Sequence, residues 1–427
     1  MKTKIGFFFL YLIIFPSINS FSLSLLTPNN AIVSYPSLSY PAEGISNYNI
    51  TQNVKYQVEL NFSLTHTRIS PQTYNFKVAR LIDRNPTSIL SPYCPPYQQS
   101  TLLYNSVTGW DAIEWGSLDK FNNTYELFNT TLHTSDKLTL AQKYNITLSG
   151  IKFSDIEDID IGSYNPGDYI HALYNVTEIY YECDSSILID LSNSIVDPLD
   201  NPVEKARDIF YWIINNIDYQ VQNNEIGALE AYNQRKGDCS EFSDLMITLL
   251  RIQGIPARKV TGFLITNNPS HRPQVGNKYY FDLSYNGLTQ TVSHTNEILA
   301  HAWVEYYVPE IGWIACDPTW GHGYFNQIDL FRFNLNNGAW FFLPGATPPQ
   351  DYISEFPINP SPVCSDHTAY NWQYMIEITV LEANLAPLTQ FPIFVVIFIV
   401  IGLAIVLLAI VLLLRRGRKK EYVTYNY

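Results

Sequence analysis

Three residues of this chain carry the functional groups of an activated thiol nucleophile. They are Cys239, His301 and Asp317, and each lies in its own distinctive local sequence. A thiol attacks as the thiolate, an imidazole holds and transfers the proton, and a carboxylate orients the imidazole. The set predicts catalysis with Cys239 as nucleophile, His301 as general acid and base, and Asp317 as orienting carboxylate. No other group of residues in the sequence indicates an enzyme as strongly.

The residues around Cys239 predict the start of a helix. Apolar residues recur at helical spacing after the cysteine, and Gly254 and Pro256 end the pattern. A helix N-terminus lowers the pKa of a thiol through its unpaired N–H groups and its dipole, so this position favours the thiolate. Gly237 allows a sharp turn just before the cysteine. Asp238 would oppose the thiolate if it pointed inward, so we expect it to cap the helix or face solvent.

The segments that carry His301 and Asp317 have the alternating pattern of a β-hairpin. A turn centred on Pro309 would pair His301 directly with Asp317 at the open end, and directly paired residues share one face of the sheet. Cys316 would then point to the opposite face. This parity predicts that Cys316 is a core cysteine and not the nucleophile.

Residues 200–322 resemble the transglutaminase-like superfamily through motifs that occur in one order. The motifs are Gly237-Asp238-Cys239-Ser240-Glu241-Phe242, Gly254-Ile255-Pro256-Ala257-Arg258, His301-Ala302-Trp303-Val304, and Trp313 followed by Asp317-Pro318-Thr319. The resemblance implies a papain-like α/β core, in which a helix carrying the cysteine faces a sheet carrying the histidine and the aspartate. It implies the same three roles for these residues.

Several residues near the three have less specific roles. The backbone N–H of Cys239 is a candidate donor to an oxyanion, and no side chain is assigned to that function. We expect Arg258 to support the core rather than bind substrate, and Trp303 and Trp313 to be packing residues. No His/Cys pair has zinc-site spacing and no acidic loop has calcium-site spacing, so the sequence predicts no metal and no cofactor.

The predicted reaction is attack on an amide group of a protein or peptide substrate through a Cys239 thioester. Members of the superfamily include cross-linkers, peptidases, and deamidating or deglycosylating enzymes, and the motifs do not separate them. We favour hydrolysis, as in a peptidase or amidase, because water is the default acceptor unless a site excludes it. The alternatives are an amine-transferring protein cross-linker and a non-catalytic surface adhesion or binding module.

The fold class that these patterns predict is α+β, with a papain-like transglutaminase core after a β-rich domain. Residues 21–190 contain short alternating segments between turn residues, which favours a sandwich-like arrangement. The catalytic domain is assigned to 198–325 and a C-terminal extension to 326–388, with a last strand at Met375–Leu381. Residues 267–294 are predicted to be an insertion or long hairpin.

Both ends of the sequence indicate a membrane. Residues 1–20 have the pattern of a signal peptide, with an uncleaved signal anchor as the alternative. Residues 391–414 are uncharged and long enough for a single transmembrane helix, and the basic tail 415–427 is expected to stay cytoplasmic. The bulk of the chain is therefore predicted to be extracellular on a single-pass membrane protein.

The sequons agree with an exterior location, and the charge and the cysteine count limit the partners and the disulfide pairing. The net charge of −13 argues against nucleic acid as a partner. Five cysteines leave at least one thiol unpaired, and Cys94, Cys183 and Cys364 could supply one disulfide whose pairing the sequence leaves open. Six glycosylation sequons lie before residue 180, at Asn49, Asn61, Asn122, Asn129, Asn145 and Asn175.

Overall fold

The structure is a computed structural model that describes residues 47–86, 91, 93–109, 113–153, 156–222, 224–268, 270–338, 362–385, 401 and 406–412. The predicted signal peptide, the basic tail and most of the predicted transmembrane stretch lie outside these residues. Within the residues it does describe, none of the helices has the length and apolar character needed to cross a membrane. The described residues up to Leu385 belong to one compact unit, and those beyond it belong to a second.

The first unit contains strands and helices in a mixed order. The helices are α1 (Tyr169–Tyr174), α2 (Ser186–Ile195), α3 (Pro202–Asn216), α4 (Gly227–Gln234) and α5 (Cys239–Ile252). The strands are β1 (Tyr48–His66), β2 (Gln72–Ala79), β3 (Gln98–Thr108), β4 (Ile113–Leu118), β5 (Thr124–Leu132), β6 (Lys137–Phe153), β7 (Asp218–Tyr219), β8 (Lys236–Gly237), β9 (Ala257–Leu264), β10 (Lys278–Asn286), β11 (Thr291–Asn296), β12 (Leu299–Val308), β13 (Gly312–Cys316), β14 (Gln327–Ile328), β15 (Arg332–Asn337) and β16 (Tyr370–Asn384).

The N-terminal region is β-rich, as predicted. Its central strand β1 buries every second side chain from Val54 to Leu64, which is the pattern of a strand with one face on a core. The large sheet has the order β11-β10-β16-β1-β6-β14, with β3 also paired to β6. A second sheet, β2-β5-β4, shares its core, and the rings of Phe62 and Phe76 lie 5.2 Å apart between the two.

The predicted insertion is a hairpin, and it belongs to the N-terminal sheet. β10 and β11 pair with each other, and β10 also pairs with β16, where Lys278 lies opposite Thr379. β16 contains the predicted last strand and pairs along β1. The chain therefore leaves the predicted catalytic region between β9 and β12, adds two strands to the N-terminal sheet, and returns.

The predicted catalytic region is built on a four-stranded sheet of order β13-β12-β9-β15. The helix predicted near residue 200 is α3, where Asn201 caps the backbone and Pro202 occupies the first helical position. Helix α5 begins at Cys239, as predicted, and packs against β9, β12 and the 3-10 turn Pro318–Trp320. This region is an α+β core, as the sequence indicated.

The predicted direct pairing of His301 with Asp317 is wrong. Strands β12 and β13 pair Val304 with Cys316, so the register differs from the prediction by two residues. Proline prefers the first central position of a turn, so the loop starts at Pro309 and closes with a hydrogen bond from Ile311 N to Val308 O of 3.1 Å. Because the error is two residues and not one, the parity that separates Cys316 from Asp317 is unchanged.

Candidate active site

The helix start at Cys239 is capped by the residue before it. Asp238 Oδ1 accepts from Ser240 N at 3.0 Å, and Glu241 Oε2 accepts in return from Asp238 N at 2.9 Å, which completes a capping box. Asp238 Oδ2 accepts from Gln222 N at 3.1 Å. The prediction that Asp238 caps the helix is therefore confirmed, and its negative charge is shared among backbone donors.

Cys239 lies where three elements meet. It is 8% exposed, at the start of the helix that packs against the strand of His301 and the turn after Asp317. Burial raises the pKa of the Tyr219 hydroxyl, and the charges of Cys239, Asp238, Glu241 and Asp317 raise it further. The Tyr219 hydroxyl therefore lies within electrostatic range of both Cys239 and Asp317. Tyr219 is 42% exposed, so solvent reaches this side of the site.

His301 and Asp317 are in direct contact. Nε2 of His301 lies 2.6 Å from Oδ2 of Asp317, and both side chains are buried. A carboxylate can only accept, so Nε2 donates its proton and Nδ1 is the ring nitrogen left for proton transfer. The imidazole stacks on Trp303 at 6.1 Å and meets the edge of Trp320 at 6.4 Å. The ring is therefore held in one orientation by packing as well as by the carboxylate.

A buried arginine shares the same carboxylate oxygen. Arg332 Nε and Nη2 donate to Asp317 Oδ2 at 3.0 and 2.8 Å. Burial alone would raise the pKa of Asp317, but His301 and Arg332 outweigh it and hold that pKa below its ordinary value. Asp317 therefore stays ionised, which is the state that an orienting carboxylate needs.

Arg332 is itself enclosed by charge and aromatic rings. Its side chain is fully buried and forms a second ion pair, from Nη1 to Asp329 Oδ2, of 2.5 Å. Its guanidinium carbon lies 4.6 Å from the ring centre of Tyr324 and 5.4 Å from that of Trp320. Burial lowers the pKa of Arg332, but Asp329 and Asp317 more than offset it, so the guanidinium remains charged.

The sequence reasoning missed Arg332, although the chain carries a signal for it. Between Lys278 and Arg415, Arg332 is the only lysine or arginine, and it stands between Phe331 and Phe333. A lone cation in an apolar strand must be buried with a carboxylate. That rule predicts a partner but does not say which carboxylate it is.

The described residues contain no disulfide, so Cys94, Cys183 and Cys364 are not paired with one another. Burial raises the pKa of the thiols of Cys94, Cys183, Cys316 and Cys364, to about 11 for Cys183 and about 12 for Cys364. Cys316 is 1% exposed and packs in the core, which confirms the prediction that it is a core cysteine.

The residues predicted to support the core do so. Arg258 is 4% exposed and donates through Nε to Glu305 Oε2 at 2.7 Å, with its guanidinium carbon 3.7 Å from the ring centre of Trp313. Trp303 and Trp313 are both buried. Across the part of the chain that the structure describes, no group of three His, Cys, Asp or Glu residues could hold a metal ion.

The sequence comparisons agree with this geometry. A family model of the transglutaminase-like superfamily matches residues 189–318. YebA of Bacillus subtilis, an uncharacterized protein, is 29% identical over 159 residues, which cover 35% of this chain and 20% of that protein. The protein-glutamine gamma-glutamyltransferase of Pseudomonas aeruginosa is 36% identical over 129 residues, which cover 30% of this chain and 15% of that protein. The aligned segments thus span a fifth or less of these relatives.

Two solved structures are similar over a larger part of the chain. A candidate cysteine protease from Cytophaga hutchinsonii has a TM-score of 0.43 and 16% identity, covering 80% of this chain and 96% of that one. The periplasmic domain of TgpA from Pseudomonas aeruginosa, bound to ethylmercury, has a TM-score of 0.30 and 15% identity, covering 65% and 97%. The assignment rests on the sequence match: residues 189–318 form a transglutaminase-like domain, and Cys239, His301 and Asp317 all lie within it.

Proposed function

We propose that this protein is a thiol enzyme that attacks amide groups of a protein or peptide substrate through Cys239 and resolves the thioester with water. The observation that carries the proposal is the 2.6 Å contact of His301 with an ionised Asp317, on elements that pack against α5, the helix whose first residue is Cys239. A His–Asp pair and a cysteine at a helix N-terminus are the groups that activate a thiol nucleophile.

The first half of the proposed reaction forms a thioester. The Cys239 sulfur attacks the amide carbonyl carbon, and a C–S bond forms as the carbonyl oxygen takes up negative charge. His301 Nδ1 then donates its proton to the amide nitrogen, the C–N bond breaks, and the amine leaves. Asp317 stabilises the imidazolium that exists before this transfer, through its contact with Nε2.

The second half of the proposed reaction consumes water. His301 Nδ1 accepts a proton from a water molecule as its oxygen attacks the thioester carbon. The C–S bond breaks, the product leaves as a carboxylic acid, and Cys239 returns to the thiolate paired with the imidazolium. The exposed side of Tyr219 supports access of water to the site.

Two donors near Cys239 are suited to stabilise the oxyanion. One is the backbone N–H of Cys239 at the first position of α5. The other is the side-chain amide of Gln222, whose Nε2 is buried and has no hydrogen-bond partner among the described residues. The backbone of Gln222 is tied to Asp238, next to the nucleophile, at 3.1 Å. A buried amide nitrogen without a partner is costly unless a ligand supplies one.

A second candidate function is amine transfer, in which a primary amine replaces water in the second half. The similarity to a protein-glutamine gamma-glutamyltransferase, at 36% identity over 129 residues, favours it. The acylation step is the same in both reactions. The two candidates differ only in the group that attacks the thioester.

The proposed location is the outer face of a membrane, with residues 391–414 as a single anchor. The uncharged stretch and the basic residues after it support this arrangement. Asn49, Asn61 and Asn129 are exposed, as sequons that carry sugar must be. Protease treatment of intact cells and of permeabilised cells tests it: digestion only after permeabilisation would contradict the exterior location.

Incubation of the full chain with glutamine-containing peptides and a labelled primary amine tests the reaction. We expect peptide hydrolysis or deamidation that is lost in Cys239→Ala and in His301→Ala, and kept in Cys316→Ala as the matched control. Amine adducts without hydrolysis would establish the cross-linking alternative. If there is no product of either kind and Cys239 reacts with iodoacetamide no faster than an ordinary thiol, the domain is a binding module and the proposal is wrong.

A further inference from the structure

The strand that supplies Arg332 lies outside the segment matched by the family model. That segment ends at residue 318, whereas β15 begins at Arg332. β15 forms the edge of the catalytic sheet beside β9, and Gly262 of β9 lets it approach closely. A Cβ on Gly262 would lie 1.8 Å from the carbonyl oxygen of Phe333. The absence of a side chain at Gly262 of β9 therefore allows β15 to lie close to the site.

The N-terminal β region holds the other side of β15. Gln98 Nε2 donates to Asn334 O at 3.0 Å, and Asn334 N donates to Gln98 Oε1 at 2.7 Å. Arg84 Nε donates to Asn334 Oδ1 at 3.2 Å. Asn123 forms the same reciprocal pair with the backbone of Asn337, at 2.8 and 2.7 Å. Amide side chains thus take the place that a neighbouring strand would have.

These contacts are buried and mutually dependent. Gln98, Asn123, Asn334 and Asn337 are each no more than 1% exposed, so a lost partner leaves a polar group without water. β15 therefore has one well-defined position relative to the N-terminal region. That position places the guanidinium of Arg332 in contact with Asp317 Oδ2, the oxygen that also accepts the hydrogen bond from His301 Nε2.

We propose that Arg332 is a positioning residue for the Asp317–His301 pair, and that the N-terminal β region takes part in catalysis by fixing β15. The inference rests on the proposed thiol chemistry. Arg332 acts in two ways: its two N–H groups fix the orientation of the Asp317 carboxylate, and its charge weakens the pull of that carboxylate on the imidazolium. Arg332 touches neither substrate nor thiol in this scheme.

Several charged groups belong to the site that contains His301. Asp317 follows β13, and Arg332 lies on β15 with Asp329 and Tyr324 beside it. Cys239, Asp238 and Glu241 lie at the start of α5, and Tyr219 lies on β7. Arg332 is the cation that contacts Asp317 directly. Its removal leaves the full charge of Asp317 acting on His301, which favours the protonated ring.

Alkylation of Cys239 in the full chain measures this effect without a substrate. An imidazolium accelerates the anionic reagent iodoacetate relative to neutral iodoacetamide, so the pH midpoint of the rate ratio reports the titration of His301. In Arg332→Gln we expect this midpoint to move up by about one pH unit. In Arg332→Lys, which keeps the charge, we expect it to remain within about 0.3 unit of the wild type.

Arg251→Gln is the matched control for loss of a buried arginine. Arg251 pairs with Glu178 at 2.8 Å and lies about 18 Å along α5 from Cys239. We expect a lower melting temperature in this variant and an unchanged midpoint. If Arg332→Gln also lowers only the melting temperature, Arg332 is merely structural and the inference is overturned.

A second pair of variants tests the role of the N-terminal region. Gln98→Met removes both bonds to β15 with little change in shape. Gln142→Met removes a similarly buried glutamine whose bonds, to Asn105, Glu126 and Tyr144, stay within the N-terminal sheets. We expect the midpoint to move up in Gln98→Met by a smaller amount than in Arg332→Gln, and to stay constant in Gln142→Met. Equal behaviour of the two methionine variants would overturn this part of the inference.

The same data separate this inference from the proposed function. The proposed thiol chemistry is wrong if the wild-type ratio of alkylation rates shows no pH midpoint, or if its midpoint persists in His301→Ala. If that midpoint exists but is the same in wild type and Arg332→Gln, the proposed function stands and only the positioning role fails.

Discussion

Two buried arginine–carboxylate pairs lie in the same four-stranded sheet and have different surroundings. Arg258 of β9 pairs with Glu305 of β12, and Arg332 of β15 pairs with Asp317 after β13. Both guanidinium groups lie against aromatic rings, Trp313 for the first and Tyr324 for the second. Only Asp317 also contacts an imidazole, at 2.6 Å.

The comparison shows how one kind of ion pair can support a fold or a reaction. Glu305 and Arg258 lie directly opposite each other on paired strands, so their contact joins β9 to β12. Asp317 follows the last residue of β13 and begins a 3-10 turn, so its carboxylate is free of the strand pairing and can be shared. The position at the end of a strand, and not the ion pair itself, is what makes Asp317 available to His301.

The largest expected difference between the pairs is in turnover when each carboxylate becomes an amide. In Asp317→Asn we expect turnover to fall on the order of 10³-fold or more, because the amide no longer fixes the tautomer or stabilises the imidazolium. In Glu305→Gln we expect turnover within a few-fold of the wild type. Steady-state kinetics on a peptide substrate, at a temperature where both variants are folded, measures the difference. Similar losses in both variants would remove the distinction between the pairs.

A smaller effect is expected on stability when the structural pair is broken. Arg258→Met alone leaves Glu305 buried without its cation and should lower the free energy of unfolding by about 3 kcal/mol. The double variant Arg258→Met/Glu305→Leu removes both charges and should recover most of that loss. Denaturant unfolding of the three proteins measures these values. If the double variant is less stable than Arg258→Met, the ion pair stabilises the fold by more than the mutual neutralisation of two buried charges.

The smallest effect concerns a third buried cation, Lys259, which is shared by two carboxylates. Lys259 Nζ lies 2.7 Å from Asp244 Oδ1 and also pairs with Glu225. Burial raises the pKa of Glu225 to about 8, with Lys259 lowering it and Asp244 raising it. Because this pKa is above its ordinary value of 4.5, the folded state binds a proton more tightly than the unfolded state. The contribution of Glu225 to stability is therefore full below pH 4.5 and is lost as the pH rises to 8.

This sign predicts that Glu225→Gln, which is neutral at every pH, is more heat-stable than the wild type in alkaline solution. We expect its melting temperature to be higher by about 2–4 °C at pH 9, with the difference shrinking toward pH 5. Glu230→Gln, an exposed change on α4, is the control and should show no such trend. A constant difference at all pH values would contradict the assignment of the shift to Glu225.

Local signals in the sequence predicted the helix starts well. Asn201 with Pro202, and Asp238 before Cys239, are caps that act within one turn of chain, and both helices begin where these residues place them. The hairpin of His301 was predicted correctly as a hairpin but with the wrong register. The register of a hairpin depends on which residues form the turn. Two alternative turns of equal length differ little in free energy.

The sheets could not be predicted because their strands come from distant parts of the chain. β1 pairs with β16 across more than 300 residues, and β10 enters the same sheet from within the catalytic region. Alternation predicts that a segment is a strand with one buried face, but it carries no information on the neighbouring strand. The large sheet contains strands from both predicted ranges, 21–190 and 198–325, because β10 and β11 pair into it.

The sequence alone determined the helix start at Cys239, the cap beside it, and the separation of Cys316 from Asp317, because each depends on neighbours in the chain or on strand parity. Only the tertiary structure decided that Asp317 is shared by His301 and Arg332, and that Gln98 and Asn123 hold the strand that brings Arg332 there. The physical reason is that a buried charge is stable only beside an opposite charge. That partner can come from any part of the chain that the fold brings near. Here the partner comes from a strand that local sequence rules do not connect to the site.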